Sequence, residues 1–277
     1  MKSAPRVVVV GAGKMGAHHA RVFGARGVFD VDAEAAERVA RASGASALRS
    51  IDEAIERAEL VVVASPTALH FDHARRALEA RRHVLVEKPI ASTSREARAL
   101  CEIARANGVR LFVGHSERFN AAVRALREAC ARETIMSIAT HRSAAAESGD
   151  VCLNLGVHDI DLVALLARAP AAFESANGDL DDVEIALVAG AARATVRVSR
   201  SAQKVRSIRV QTTRDRFEAN LLEPSVPEPL ALQAIAVQGA IEGLESAVAT
   251  GEDGLRAVAV AEAASARITE SRIFAAE

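Results

Sequence analysis

Short runs of β-branched and other apolar residues punctuate the first 115 positions: RVVVV (6–10), GVFDV (27–31), LVVVAS (60–65), HVLVEK (83–88) and RLFVGH (110–115). Their hydrophobicity is continuous rather than alternating, which predicts strands buried on both faces, as in a parallel sheet. Between them lie Ala-, Arg- and Glu-rich stretches with helical periodicity, such as DAEAAERVARAS and SREARALCEIARANG. Ser94 is placed to cap the second of these and Gly108 to end it. This βαβα alternation predicts a doubly wound α/β fold.

The pattern changes after about residue 118. A helix predicted over 117–132 leads through TIMSIATHRSA to an apolar helix around 151–167. Runs with strand character follow: AAFESAN, VEIALVAG, ARATVRVSRS, VRSIRVQTT and RFEANLL. Their hairpin-like spacing predicts an antiparallel sheet. The Pro-rich EPSVPEPL (223–230) reads as a linker, and two amphipathic helices are predicted beyond it. The expected domains are therefore 1–118 and 119–277.

The first strand runs directly into VVVVGAGKMG, which supplies Gly11, Gly13 and Gly16 in a GxGxxG pattern at a strand-to-helix turn. Such glycines permit a tight turn, close approach of backbone to a pyrophosphate, and close helix–strand packing. The helix N-terminus then offers N–H groups to the phosphates. Asp30 stands 19 positions after Gly11, at the end of the second predicted strand. A carboxylate there accepts hydrogen bonds from a ribose diol and repels a 2′-phosphate, so NAD is the expected cofactor. Asp32 fits the cap of the following helix.

With 35 basic and 36 acidic residues interspersed along the chain, there is no electrostatic footprint for nucleic acid or an anionic membrane. Cys101, Cys130 and Cys152 show no CxxC spacing, and RVVVVGAG is too short for a signal h-region. Both point to a cytoplasmic protein with reduced thiols. The histidines show no metal-ligand spacing with supporting carboxylates, so no metal is expected. Without Trp or Tyr, a bound sugar or base is held by hydrogen bonds and aliphatic contacts. Only Lys2, Lys14, Lys88 and Lys204 are lysines, so the strand end Glu87-Lys88-Pro89 uses a compact point charge where this chain elsewhere uses arginine.

The pieces VVVVGAGKMGAHHARVF, VVVASPTALHFDHARRALEARRHVLVEKPIAST, VGHSERFN and LNLGVHDIDL run in order between residues 7 and 162. In them the sequence resembles the Gfo/Idh/MocA family of sugar dehydrogenases. The resemblance implies a Rossmann domain followed by an α/β domain with an open, mainly antiparallel sheet. It implies cofactor contacts at Gly11, Gly13, Lys14, Met15, Gly16, Asp30, Ser65, Pro66, Thr67, His70, Glu87 and Lys88. It places Lys88 between nicotinamide and substrate, followed by a proline peptide that is commonly cis in the family. His158 maps onto the family's acid/base at the substrate hydroxyl, a role an imidazole can fill near neutral pH.

Asn154, His158 and Asp161 are spaced by four and three on an otherwise apolar helix, so they share a face expected to bind substrate, while Asp159 points elsewhere. Family members usually carry Asp where this chain has Asn154, which removes a charge from the histidine's surroundings. The separation of Gly16 from Asp30 is also shorter than is common in the family. Within the family the resemblance is strongest to enzymes oxidising the 3-hydroxyl of UDP-N-acetylglucosamine, with Arg118 and Asn120 as further substrate-side candidates. The alternatives are a dehydrogenase of inositol or another polyol, and a non-catalytic NAD-binding sensor. The expected partners are a sugar or nucleotide sugar and a second copy of the chain, since an open sheet face suits a homo-oligomer.

Overall fold

A computed structural model describes residues 4–145 and 149–276. In chain order the first elements are β1 (Val7–Val10), α1 (Lys14–Phe23), β2 (Gly27–Phe29), α2 (Ala33–Ser43), β3 (Ser46–Ala47) and α3 (Ile51–Arg57). They continue with β4 (Leu60–Val63), α4 (His70–Glu79), β5 (His83–Val86), α5 (Ser94–Ala106) and β6 (Leu111–Val113). Next come α6 (Ala121–Ala129), β7 (Ile135–Ala144), α7 (Val157–Ala167), β8 (Ala171–Gly178), β9 (Asp182–Ala189), β10 (Ala192–Arg200), β11 (Val205–Thr212) and β12 (Arg216–Asn220). The chain closes with α8 (Pro229–Ile241), β13 (Ala249–Thr250) and α9 (Gly251–Ala276).

Two compact units result: Met1–Ser116 with Pro227–Leu255, and Glu117–Val226 with Arg256–Glu277. The first holds a sheet in the order β13-β6-β5-β4-β1-β2-β3, in which β1 to β6 are all parallel and β13 is antiparallel. That is the doubly wound order, with its direction of winding reversing between β1 and β4. The burial explains the unbroken apolar runs: Val7 to Val10, Leu60 to Val63 and Val84 to Val86 are all at most 1% exposed. Each such side chain removed from water contributes about 1.5–3 kcal/mol.

The division into units adds something the linear boundary at 118 does not contain. The chain returns after Pro227, lays α8 against α1 and adds β13 to the edge of β6. Of the two amphipathic helices expected here, α8 instead has no polar face: Leu230, Ala234 and Val237 are buried together with Gln233, and Ile235 is exposed. Local caps also moved. Thr93, not Ser94, caps α5, in a reciprocal capping box with Glu96. The helix expected over 117–132 begins only at Ala121, because Asn120 caps it by accepting the Ala122 N–H at 3.0 Å.

The second unit carries a sheet in the order β12-β11-β7-β10-β9-β8. It is antiparallel except where β7 lies parallel to β10. Helix α7 packs on its β7, β8, β9 and β10 strands. Alternation along β9 and β10 buries Val183, Ile185, Leu187, Val196 and Val198, while Glu184, Arg193 and Arg197 are exposed.

Candidate active site

The turn after β1 is built for close backbone approach. Gly11 has φ +105°, and a Cβ there would lie 2.5 Å from the Ala64 carbonyl carbon at the end of β4. A Cβ on Gly16 would collide with the Gly11 carbonyl oxygen. At Gly13, by contrast, a Cβ would meet nothing within 4 Å. Helix α1 starts at Gly13 without a side-chain cap and without an acidic residue in its first turn. Its leading N–H groups are thus left to a ligand, and the helix end favours an anion.

Lys14 and Met15 are exposed in that first turn. Asp30, at the end of β2, accepts the Ala12 N–H through Oδ2 at 2.6 Å and the Asp32 N–H through Oδ1 at 2.9 Å. Each carboxylate oxygen has capacity for another donor. Asp30 is therefore pinned beside the glycine turn, and Asp32 is the true cap of α2, accepting from Glu34 and Ala35. A glycine cradle, an uncapped helix start and a fixed carboxylate at the winding reversal fit a dinucleotide.

The next strand end carries Ser65, Pro66 and Thr67. Ser65 Oγ hydrogen-bonds His73 Nδ1 at 3.0 Å. His70 was expected at the cofactor, but it is 1% exposed. Its Nδ1 faces the Pro89 carbonyl at 2.7 Å and its Nε2 the Ser65 carbonyl at 2.8 Å. His70 thus ties two strand-end loops together from beneath. Burial pushes its pKa down, against the two carbonyls and Glu87, which favour the protonated ring.

At the end of β5, Lys88 is half-buried and its peptide with Pro89 is cis. The Glu87 side chain, expected to face ligand, is instead turned inward and is 7% exposed. Its Oε1 accepts from His19 Nε2 at 2.7 Å, and its Oε2 accepts the Lys88 N–H at 3.1 Å. Burial alone would raise the Glu87 carboxyl, but the His19 bond and charge, the Lys88 N–H and the Lys88 charge hold it below its ordinary value. His19 sits within GAHHARVF, yet nothing in its spacing singled it out from His18.

The second unit presents the other candidate residues on one helical segment. Asp150 caps it through the Cys152 and Leu153 N–H groups at 2.7 and 3.2 Å. Cys152–Gly156 form a π-helical turn before α7, a feature frequent at functional sites. Asn154 and His158 are half-exposed, whereas Asp159 and Asp161 are 2% and 3% exposed. The two aspartates are neutralised differently. Arg118 grips Asp161 through Nε and Nη2 at 2.8 and 2.5 Å. Asp159 accepts from Arg142 Nη2 at 2.9 Å.

Glu117 links Arg142 at 3.4 Å to Arg206 at 2.8 Å, extending this charge network. Asp159 and Glu117 keep the Arg142 guanidinium above its ordinary value although burial opposes them. Sequence reasoning missed Arg142, Glu117 and Arg206; the signal available was Asp159, a second acid on an apolar helix. Arg118, Asn120 and Asp161, expected at the substrate, are instead buried and engaged with protein groups. Asn120 also donates to the Glu117 carboxylate and the Leu221 carbonyl, each at 3.3 Å.

All three thiols are held in the protonated form at neutral pH by burial. Burial pushes Cys101 up to about 12 and Cys152 up to about 11. Among the described residues no cluster of His, Cys, Asp or Glu is arranged to hold a metal ion. None of their helices is long and apolar enough to cross a membrane.

The fold of the first unit and the residues at its strand ends define an NAD-binding Rossmann domain. Residues 5–115 match the family model described as oxidoreductase family, NAD-binding Rossmann fold. The UDP-N-acetylglucosamine 3-dehydrogenase of Acidithiobacillus ferrooxidans is 33% identical over 178 residues, 59% of this chain and 55% of that protein. The inositol 2-dehydrogenase of Rubrobacter xylanophilus is 36% identical over 173 residues, 56% of this chain and 50% of its own. The chain thus spans about half the length of these curated relatives. A solved structure of the Acidithiobacillus enzyme superposes with a TM-score of 0.89 at 25% identity, covering 97% of this chain and 99% of that one.

Proposed function

We propose that the protein is an NAD-dependent dehydrogenase of a sugar ring hydroxyl, and that its substrate is the 3-hydroxyl of a UDP-N-acetylglucosamine-type nucleotide sugar. The observation that carries the reading is Lys88, held at the carboxyl end of β5 in the sheet whose β1–β4 junction bears the phosphate turn. Ligands of doubly wound sheets bind at that end of the strands.

Gly11, Gly13 and Gly16, with the start of α1, hold the pyrophosphate; Asp30 holds the adenosine ribose; Ser65, Pro66 and Thr67 line the second strand end. When bound, NAD supplies the hydride acceptor. Lys88 polarises the reacting oxygen through its ammonium charge. His158 takes the hydroxyl proton on Nε2, because Nδ1 is buried. Asn154 is the proposed hydrogen-bond partner of the sugar, and the Arg118–Asp161 pair holds α7 in place.

The two relatives, one named for a nucleotide sugar and one for inositol, support a sugar or polyol substrate. Asn154 favours a second reading, an NAD-binding sensor without turnover, since the residue lacks the charge that would raise the imidazole's basicity. A screen of UDP-sugars and free polyols for NADH formation decides between them. NADH with UDP-N-acetylglucosamine supports the first reading; none with any member, while NAD binding is demonstrated, overturns it.

The open face of the second sheet, with Ser137, Ala139, Ala186 and Thr195 among charged neighbours, is the proposed surface for a second copy of the chain. Analytical ultracentrifugation tests it: a monomer at all concentrations contradicts the assignment.

A further inference from the structure

We propose that His19 and Glu87 are a buried positioning pair that locks the main chain of Lys88 to the phosphate-binding helix α1, a role that rests on Lys88 acting at the reacting oxygen. Three elements converge on one carboxylate. From α1, His19 Nε2 donates to Oε1 at 2.7 Å. From the end of β5, the Lys88 N–H donates to Oε2 at 3.1 Å. From the end of β6, Gly114 lets the group lie flat against the backbone: a Cβ there would stand 2.9 Å from the carboxyl carbon and from both oxygens.

His19 is 0% exposed and Glu87 7%, so neither side chain is available to touch a ligand. Burying such a pair brings little net stability, because desolvation offsets the attraction. What the pair does supply is geometry. The root of Lys88 is fixed by its own preceding side chain, and that side chain is fixed by the helix that starts at the phosphate turn. The lysine therefore departs from an anchored point, and its reach is referenced to the helix that receives the pyrophosphate. A misplacement of about 1 Å can cost on the order of 100-fold in rate, so anchoring of this kind has kinetic weight.

The test compares wild type with His19→Leu, His19→Gln, Glu87→Gln and Gly114→Ala. Two readouts are used: steady-state kinetics, and the methyl resonance of Lys88 after reductive methylation of the NAD-free protein with isotope-labelled methyl groups. The only other lysines are Lys2, Lys14 and Lys204, and Lys88→Met identifies the signal. His19→Leu, Glu87→Gln and Gly114→Ala are expected to lower kcat about tenfold or more with KM for NAD changed by less than about threefold. His19→Leu and Gly114→Ala are expected to move the Lys88 resonance. His19→Gln, which places a donor nitrogen near the same oxygen, is expected to recover both readouts.

A falling melting temperature with kcat and the Lys88 resonance unmoved would show a merely structural pair and overturn the proposal. If His19→Leu does not fold, Gly114→Ala and Glu87→Gln decide it. If the wild type turns over no sugar, the dehydrogenase reading fails by itself, and the resonance still decides whether the pair positions Lys88.

Discussion

Arg118 and Asp161 meet through two parallel hydrogen bonds, Nε to Oδ2 at 2.8 Å and Nη2 to Oδ1 at 2.5 Å, with side chains 7% and 2% exposed. The fork of a guanidinium matches both oxygens of a carboxylate, and lysine cannot reproduce it. The pair ties the turn before α6 to the middle of α7, three positions beyond His158. It explains why Asp161 is tolerated on a helix whose other residues are mostly apolar.

Asp161→Asn leaves Arg118 as a buried charge without its carboxylate, so unfolding free energy is expected to fall by about 3–5 kcal/mol. Arg118→Met combined with Asp161→Leu removes both charges and should recover most of the loss. Urea denaturation of the single and double variants measures this. Additive losses in the double variant would contradict the pairing.

Lys88→Met is expected to lower oxidation by about 100-fold or more while leaving NAD affinity within a few-fold of wild type. Isothermal titration with NAD alongside turnover with UDP-N-acetylglucosamine separates the two effects. Retention of wild-type turnover would remove Lys88 from the reaction.

Asp30→Ala is expected to weaken NAD and narrow the gap to NADP, because the variant loses both a diol acceptor and a charge repelling the 2′-phosphate. The same substitution frees the Ala12 and Asp32 N–H groups, so melting temperature is followed in parallel. Equal wild-type affinity for the two cofactors would refute the role of Asp30.

Asn154→Asp adds a carboxylate four residues before His158. A negative charge favours imidazolium, so the acid limb of the pH–rate profile is expected to move to higher pH. The π-helical turn between the two residues alters the ideal one-turn spacing, so the displacement reports how closely they approach. An unchanged profile would show that residue 154 does not act on the histidine.

Stability is expected to decline on acidification in two windows. Burial holds His70 and His73 below the ordinary histidine value of 6.5, so the unfolded chain takes up protons that these rings resist when folded. Their stabilisation is complete above about pH 6.5 and is lost as pH falls toward the folded values. Glu87, depressed below 4.5, retains its contribution above that value and loses it as pH falls through its folded pKa. Melting temperatures across acidic pH check the order, and His70→Gln should flatten the upper window.

The doubly wound sheet was legible from the sequence because a strand buried on both faces must be apolar at every position, as Val7 to Val10 are. The phosphate turn was legible because Gly11 and Gly16 serve contacts local to one βα unit. The placement of Asp30 was legible for the same reason, as its partners Ala12 and Asp32 lie at the ends of β1 and β2 within one βαβ unit. Lys88 and His158 stand out in the sequence as polar residues beside apolar runs, and the structure leaves both half-buried; their proposed roles rest on the family resemblance.

What those positions touch was decided only by tertiary packing. His19 and Glu87 are 68 residues apart, Arg118 and Asp161 are 43 apart, and Arg206 reaches Glu117 across 89. No period or spacing encodes such distances. The return of α8 and β13 to the first sheet was likewise invisible, since a strand of two residues has no alternation to read. Charges were expected to face ligand because a buried charge is costly, and the fold met that cost by bringing opposite charges together from remote segments. The local periodicity of the chain determined its elements and strand-end chemistry, whereas the identity of each charge's partner was settled only when the sheets and helices packed.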